Sequence, residues 1–179
     1  MVLTKNDLLS SLQNEVRILL HLISKVGQDQ LDYRPSPNQR STIELLRYLA
    51  IVFPIHFRGV LADSWTVEQW GKIWSEQEAY AKDLTLEQLR EAIAAHATLF
   101  AEGLAGCTDE KLREPFEMFG FKGTRGPFLV NLVLSHYAAY RMQLFLYLKA
   151  SGRPELNTMN LWVGTDHMPG ASPSPGSGA

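Results

Sequence analysis

The sequence predicts an all-α protein, a four-helix bundle with long connectors and a short extra helix or arm, and three observations carry that expectation. Apolar residues recur at three- and four-residue steps in four separate stretches, the spacing that lines one face of a helix. Each stretch opens on a capping residue or on a proline suited to a first helical turn. No segment reads as a convincing strand, and no internal repeat is present.

The first helix is expected from Lys5 to Val26, with Leu8, Leu9, Leu12, Val16, Leu19, Leu20 and Ile23 forming its stripe. Thr4 caps it with Asp7 as box partner, and Gly27 stops it. Pro35 and Pro37 then exclude a helix from the connector that ends at Arg40. The second helix starts at a Ser41–Glu44 capping box and carries Leu45, Leu46, Leu49, Ala50 and Phe53. Pro54 is expected to kink it, with the helix resuming through His56 to Leu61. Between Asp63 and Asp83, Thr66 and Gln69 offer another box. Trp65, Trp70 and Trp74 there suit a short helix or irregular arm laid on the bundle.

The third helix begins at Thr85 with Gln88 as its partner. Its stripe is Leu86, Leu89, Ile93, His96, Ala97 and Phe100, and it ends near Gly103 or Gly106. A second long connector holds Pro115, Gly120, Gly123 and Gly126, and the fourth helix runs from Pro127 to about Ala150. The domain is expected to span 1–167, with a flexible Pro/Gly/Ser tail over 168–179. Long connectors favour a bundle with a crossover over a simple up-down-up-down one.

Composition excludes several classes. With 17 basic and 19 acidic residues and a formal charge of −2, the chain has no electrostatic footprint for nucleic acid. Cys107 is the single cysteine, so no internal disulfide is available and a cytoplasmic location fits. Lys5, Asp7 and Glu15 interrupt the start, so no secretory leader is expected. The most apolar stretch, Phe128 to Leu148, is broken by Asn131, Ser135, His136, Arg141 and Gln143 and does not make a membrane span. Phe128, Leu129, Leu132, Val133, Phe145 and Leu146 cover more than one face of the last helix, which leads us to expect a homodimer.

Five histidines are the first candidates for chemistry. His136 and Tyr140 stand four residues apart on one helix face, the geometry by which two side chains can grip a metal. A neutral phenol is a poor ligand, however, and a site needs three or four protein ligands. His56 lies two turns beyond Tyr48 and reaches that level only through the Pro54 kink. His21 and His96 read as hydrogen-bonded boundary or core histidines. No Gly-rich phosphate loop and no nucleophile–base pair at motif spacing is present.

The order of these features resembles the DinB/YfiT-like superfamily of metal-dependent four-helix bundles. Leu31-Asp32-Tyr33-Arg34-Pro35 is similar to the family's connector after the first helix. Ile43 to Leu49 resembles its second-helix Leu-Leu-x-His-Leu motif, and His136 to Gln143 its last-helix His-x-x-x-His-Arg-Gly-Gln. The resemblance implies an up-down-down-up bundle and a divalent metal held by three histidines. This sequence keeps only the second, His136; Tyr48 and Tyr140 replace the others and Met142 replaces the glycine, while Arg141 and Gln143 match.

The family includes thiol-dependent S-transferases and an isomerase. The leading expectation is therefore a metal-free member that binds an unknown small molecule or a partner at the former metal site. Tyr48, His136 and Tyr140 would line it, with Arg47 or Arg141 at its rim and His56 nearby. The alternative is a thiol-transfer or hydrolase-type enzyme using His136 as the catalytic base, or a zinc or nickel ion recruited through Glu44 or His56. A further alternative is a structural dimer with a vestigial pocket.

Overall fold

A computed structural model describes residues 4–167; the tail from Met168 onward lies outside the described residues. Helix α1 (Lys5–Ile23) starts where the sequence places its cap. The Thr4 hydroxyl accepts from the Asp7 N–H, and the Asp7 carboxylate accepts from the Thr4 N–H. Leu8, Leu12, Val16, Leu19 and Leu22 make its buried stripe. The connector then folds back on itself. Thr42 and Ile43 N–H groups donate to the carbonyls of Tyr33 and Leu31, and the Tyr147 hydroxyl donates to Arg40 O, pinning the connector to the last helix.

Helix α2 (Thr42–Leu61) runs through Pro54. Proline has no N–H, so the carbonyl four residues back, that of Ala50, loses its helical donor. His96 replaces it: the Nε2 of this buried ring lies 3.0 Å from Ala50 O. The residues 63–83 region resolves into helix α3 (Val67–Ala81), a full helix rather than an irregular arm. Thr66 caps it by accepting from the Gln69 N–H, and it packs along α2.

The third long helix appears as α4 (Leu86–Ala94) and α5 (His96–Ala105). They meet at Ala95, whose backbone stays helical, so the pair is one rod with a hitch. After the short α6 (Asp109–Arg113) comes a feature the sequence reading excluded: an antiparallel hairpin, β1 (Pro115–Met118) and β2 (Phe121–Thr124). Met118 pairs with Phe121, leaving a two-residue loop, Phe119-Gly120, with φ of 55° and 80°. Positive φ at both positions is the type I′ turn that matches strand twist. Four-residue strands are too short to register as alternation, and phenylalanine in the first turn position hides the turn.

The hairpin is tied to α2 by buried Arg125. Its guanidinium donates to the carbonyls of Val60 and Ala62 at the α2 C-terminus and pairs with Glu114 at 3.3 Å. Those carbonyls have no helical donors, so a cation is well placed there. The fourth run follows without interruption as α7 (Arg125–Leu129), a π-helical stretch (Val130–Leu134) and α8 (Ser135–Ala150).

In the bundle α1 packs against both the third and fourth runs, and so does α2. Consecutive helices α1 and α2 thus face each other across the core, which their long connector permits. The apolar surface of the fourth run is largely spent inside. Leu129 and Val133 are buried, Phe145 nearly so, and of the six residues behind the homodimer expectation only Leu146 is exposed. No helix among the described residues is long and apolar enough to cross a membrane.

Candidate functional site

Helices α2 and α8 bring four of the sequence-derived candidates together. The Tyr140 hydroxyl donates to the Tyr48 hydroxyl at 3.1 Å, with ring centroids 5.1 Å apart. Tyr140 touches His136 (6.0 Å), and His136 touches His56 (5.8 Å). Because Tyr48 meets Tyr140 and His56 meets His136, the two helices run antiparallel along this face. The rings form a ladder across two helices, which is how residues 48 and 56, two turns apart, join one site.

A second layer closes the ladder. Trp74 lies against Tyr48 (5.8 Å) and stacks on Trp70 (5.0 Å), Trp70 meets the edge of Phe119 (5.4 Å), and Phe119 reaches His56 (6.4 Å). The tryptophans of α3 and the tip of the hairpin therefore cover the site from outside. Phe119 holds a left-handed backbone, which costs a non-glycine residue about 1–2 kcal/mol. Its contacts with Trp65, Trp70 and His56 offset that cost.

The electrostatics favour neutral rings throughout. Burial raises the Tyr48 hydroxyl above the ordinary phenol range, and its hydrogen bond with Tyr140 raises it further. Burial lowers His56, an effect partly offset by the Leu132 carbonyl 3.3 Å from its Nδ1, and the neighbouring His136 lowers it a little more. A carbonyl can only accept, so Nδ1 of His56 carries the proton. Burial lowers His136 as well. The Leu132 carbonyl partly offsets that effect, and His136 Nδ1 is buried without a hydrogen-bond partner.

This arrangement does not fit the metal that the resemblance implies. Two of the three positions are phenols bonded to each other, Tyr48 is held protonated by burial, and phenols ionise near pH 10 even when unperturbed. The described residues contain no cluster of three His, Cys, Asp or Glu side chains able to hold an ion. Glu44 is occupied by its cap and by Arg34 at 3.2 Å, and His56 by a carbonyl.

Other candidates fall elsewhere. Arg141 is not at the rim: it points to the opposite side of α8, where it is buried against Glu15 (3.2 Å) and donates to Leu161 O (2.7 Å). It follows Tyr140 by one residue, a 100° turn that moves it to another face. His21 sits beside Asn160 (3.1 Å) and Asp166 (3.6 Å). His96 is sealed in the core between Ala50 O and the Tyr137 hydroxyl (2.6 Å), and burial lowers it to about 4.

Arg47 does lie at the rim, and it opens onto a 780 Å³ cleft. One wall is the α2 face Glu44, Arg47, Tyr48 and Ile51, spaced as neighbouring turns. The other is the α3 face Ser75, Glu78, Ala79 and Lys82, and the connector closes one end with Arg34, Pro37 and Arg40. The Arg40 guanidinium lies 4.0 Å over the Tyr48 ring. Sequence reasoning missed Arg34, Arg40, Lys82 and Trp74. The three cations flank elements whose packing, rather than any motif, brings them to one space.

A family profile described as the DinB superfamily matches residues 12–141. Among solved structures, the crystal structure of a DinB-like protein, YjoA, from Bacillus subtilis is similar with a TM-score of 0.62 and 21% identity. The match covers 84% of this chain and 94% of that one, and it bears on the fold. A comparison with the curated proteins finds no match.

Proposed function

The chain belongs to the DinB superfamily, and from that premise we propose that it is a metal-free member that binds a small molecule in the cleft walled by Tyr48. The observation that carries this reading is the Tyr140–Tyr48 hydrogen bond. It fills the former ligand positions with a satisfied phenol pair and leaves the adjoining cleft as the open space. A volume of 780 Å³ suits a drug-sized ligand. Tyr48 connects the two, facing Tyr140 on one side and Arg40 on the other.

Calorimetry with zinc and nickel tests the metal-free half. The native protein should show little affinity, and Tyr48→His with Tyr140→His should gain it, since three histidines with an open position form a catalytic-type site. Missing supporting hydrogen bonds typically cost 10–100-fold in metal affinity, so a modest gain suffices. Tight native binding, or no gain in a variant whose helicity is intact, sinks the reading. The ligand half is followed through Trp74, which rests on Tyr48 and should change its emission when the cleft fills.

A second reading, thiol transfer or hydrolysis with His136 as base, draws on the unpartnered His136 Nδ1. It requires substrate to reach a ring that does not line the cleft, so the binding reading stands first.

A further inference from the structure

Resting on the cleft reading above, we propose that the ligand is an organic acid, a single carboxylate on an apolar body, whose carboxylate pairs with Arg47 and whose body lies along Tyr48 and Ile51. The argument begins with charge accounting. Arg34, Arg40, Arg47 and Lys82 line the cleft against two carboxylates, Glu44 and Glu78. Glu44 is consumed by Arg34 and by the Ser41 N–H. Arg40 has its guanidinium face taken up by the Tyr48 ring, 4.0 Å away, and its carbonyl accepts from the Tyr147 hydroxyl.

Arg47 is the outlier. It is half-buried, its Nε is shut from solvent without a hydrogen-bond partner, and among the described residues its guanidinium makes no ion pair. Elsewhere buried guanidinium groups are engaged: Arg125 holds two carbonyls and Glu114, and Arg141 pairs with Glu15 and donates to a carbonyl, although its Nε, like that of Arg47, makes no hydrogen bond. A buried Nε without a partner is costly, and a planar carboxylate entering the cleft is the group that the guanidinium fork matches bidentately.

The remaining surface sets the rest of the ligand. Tyr48, Ile51, Ala79, Ala81 and Pro37 supply apolar wall, which favours a hydrocarbon or aromatic body. Glu78 across the cleft disfavours a polyanion such as phosphate.

The test is calorimetry of the full chain at low ionic strength with benzoate, 2-naphthoate and octanoate, each beside its neutral carboxamide, and with inorganic phosphate. At least one acid should bind about tenfold or more tightly than its amide, a difference of about 1.4 kcal/mol. Arg47→Gln should erase that preference, and Arg47→Lys should keep only part of it, because an ammonium lacks the fork. Arg58→Gln, an exposed position outside this cleft, should leave it unchanged.

Acid and amide binding equally, both weakened by Tyr48→Ala, would overturn acid recognition while leaving the cleft as a binding site. A preference that survives Arg47→Gln would overturn it too, as would phosphate binding as tightly as the organic acids. No binding of any compound at millimolar concentration would remove both this inference and the cleft reading.

Discussion

Two histidine–tyrosine constellations pack against helices α2 and α8, one of them with His96 of α5, and they differ in how fully their nitrogens are paired. In the core, His96 uses both ring nitrogens, toward Ala50 O and the Tyr137 hydroxyl, and Tyr137 stacks on Phe53 at 3.5 Å. At the edge, His136 leaves Nδ1 unpaired, and Trp70 in the covering layer and Arg47 in the cleft leave nitrogens unpaired as well. Buried polar groups are nearly always hydrogen-bonded, because an orphan forfeits its solvation without return. The saturated set is therefore structural: His96 repairs the backbone that Pro54 interrupts. The unsaturated set is where an outside group can still be received.

The two arginines once placed at the rim give the largest contrast. Arg141→Met should cost about 3 kcal/mol, since it leaves the largely buried Glu15 carboxylate without its cation. Arg47→Met breaks no hydrogen bond and removes a buried, unpaired Nε, so it should leave stability unchanged or raise it by about 1 kcal/mol. Urea denaturation measures both, and comparable losses would erase the distinction between saturated and open regions.

The core set also predicts a pH dependence of nearly that size. His96 is lowered from 6.5 to about 4 by burial. Above pH 6.5 it is neutral whether folded or unfolded. As pH falls from 6.5 toward 4 the unfolded chain gains a proton that the folded chain refuses, so stability should drop by about 3 kcal/mol across that window. His21, His56 and His136 are lowered in the same direction and add to the slope. Much of the slope should vanish in His96→Leu; an unchanged profile would mean that His96 is not the sealed group described above.

His96→Leu should itself cost about 1–3 kcal/mol for each of the two groups it orphans, Ala50 O and the Tyr137 hydroxyl. Pro54→Ala restores a helical N–H to Ala50 O, so the loss from His96→Leu should be smaller in that background. A double-mutant cycle with no coupling would refute the repair. The matching change at the edge, His136→Leu, breaks no hydrogen bond and should cost less than about 1 kcal/mol.

The smallest effect concerns the cover of the open site. Phe119→Gly removes the left-handed strain and the ring contacts together, so stability should move by less than about 1 kcal/mol. The emission of Trp65 and Trp70 should nonetheless shift as water reaches them. A large loss of stability would make the hairpin tip part of the core.

Helix starts were legible because their causes are local. Thr4, Ser41, Thr66 and Thr85 cap helices through partners three residues away, and apolar stripes repeat within a few turns. The hairpin was not, since its short strands and Phe119-Gly120 turn carry little pattern. The candidate site was half legible. Motif order singled out Tyr48, His136 and Tyr140, but it also singled out Arg141, which one residue of helical rotation sends to Glu15.

From its sequence alone this protein was determined to be an all-α bundle, for which periodicity and caps suffice, and the resemblance to the DinB superfamily implies that Tyr48 and Tyr140 stand where that family has histidines. Only the tertiary structure decided which polar groups are saturated and which are open. His96 meets Ala50 across 46 positions and Tyr140 meets Tyr48 across 92. No local pattern records such pairings, because the free energy of a buried polar group depends on the partner that packing delivers to it.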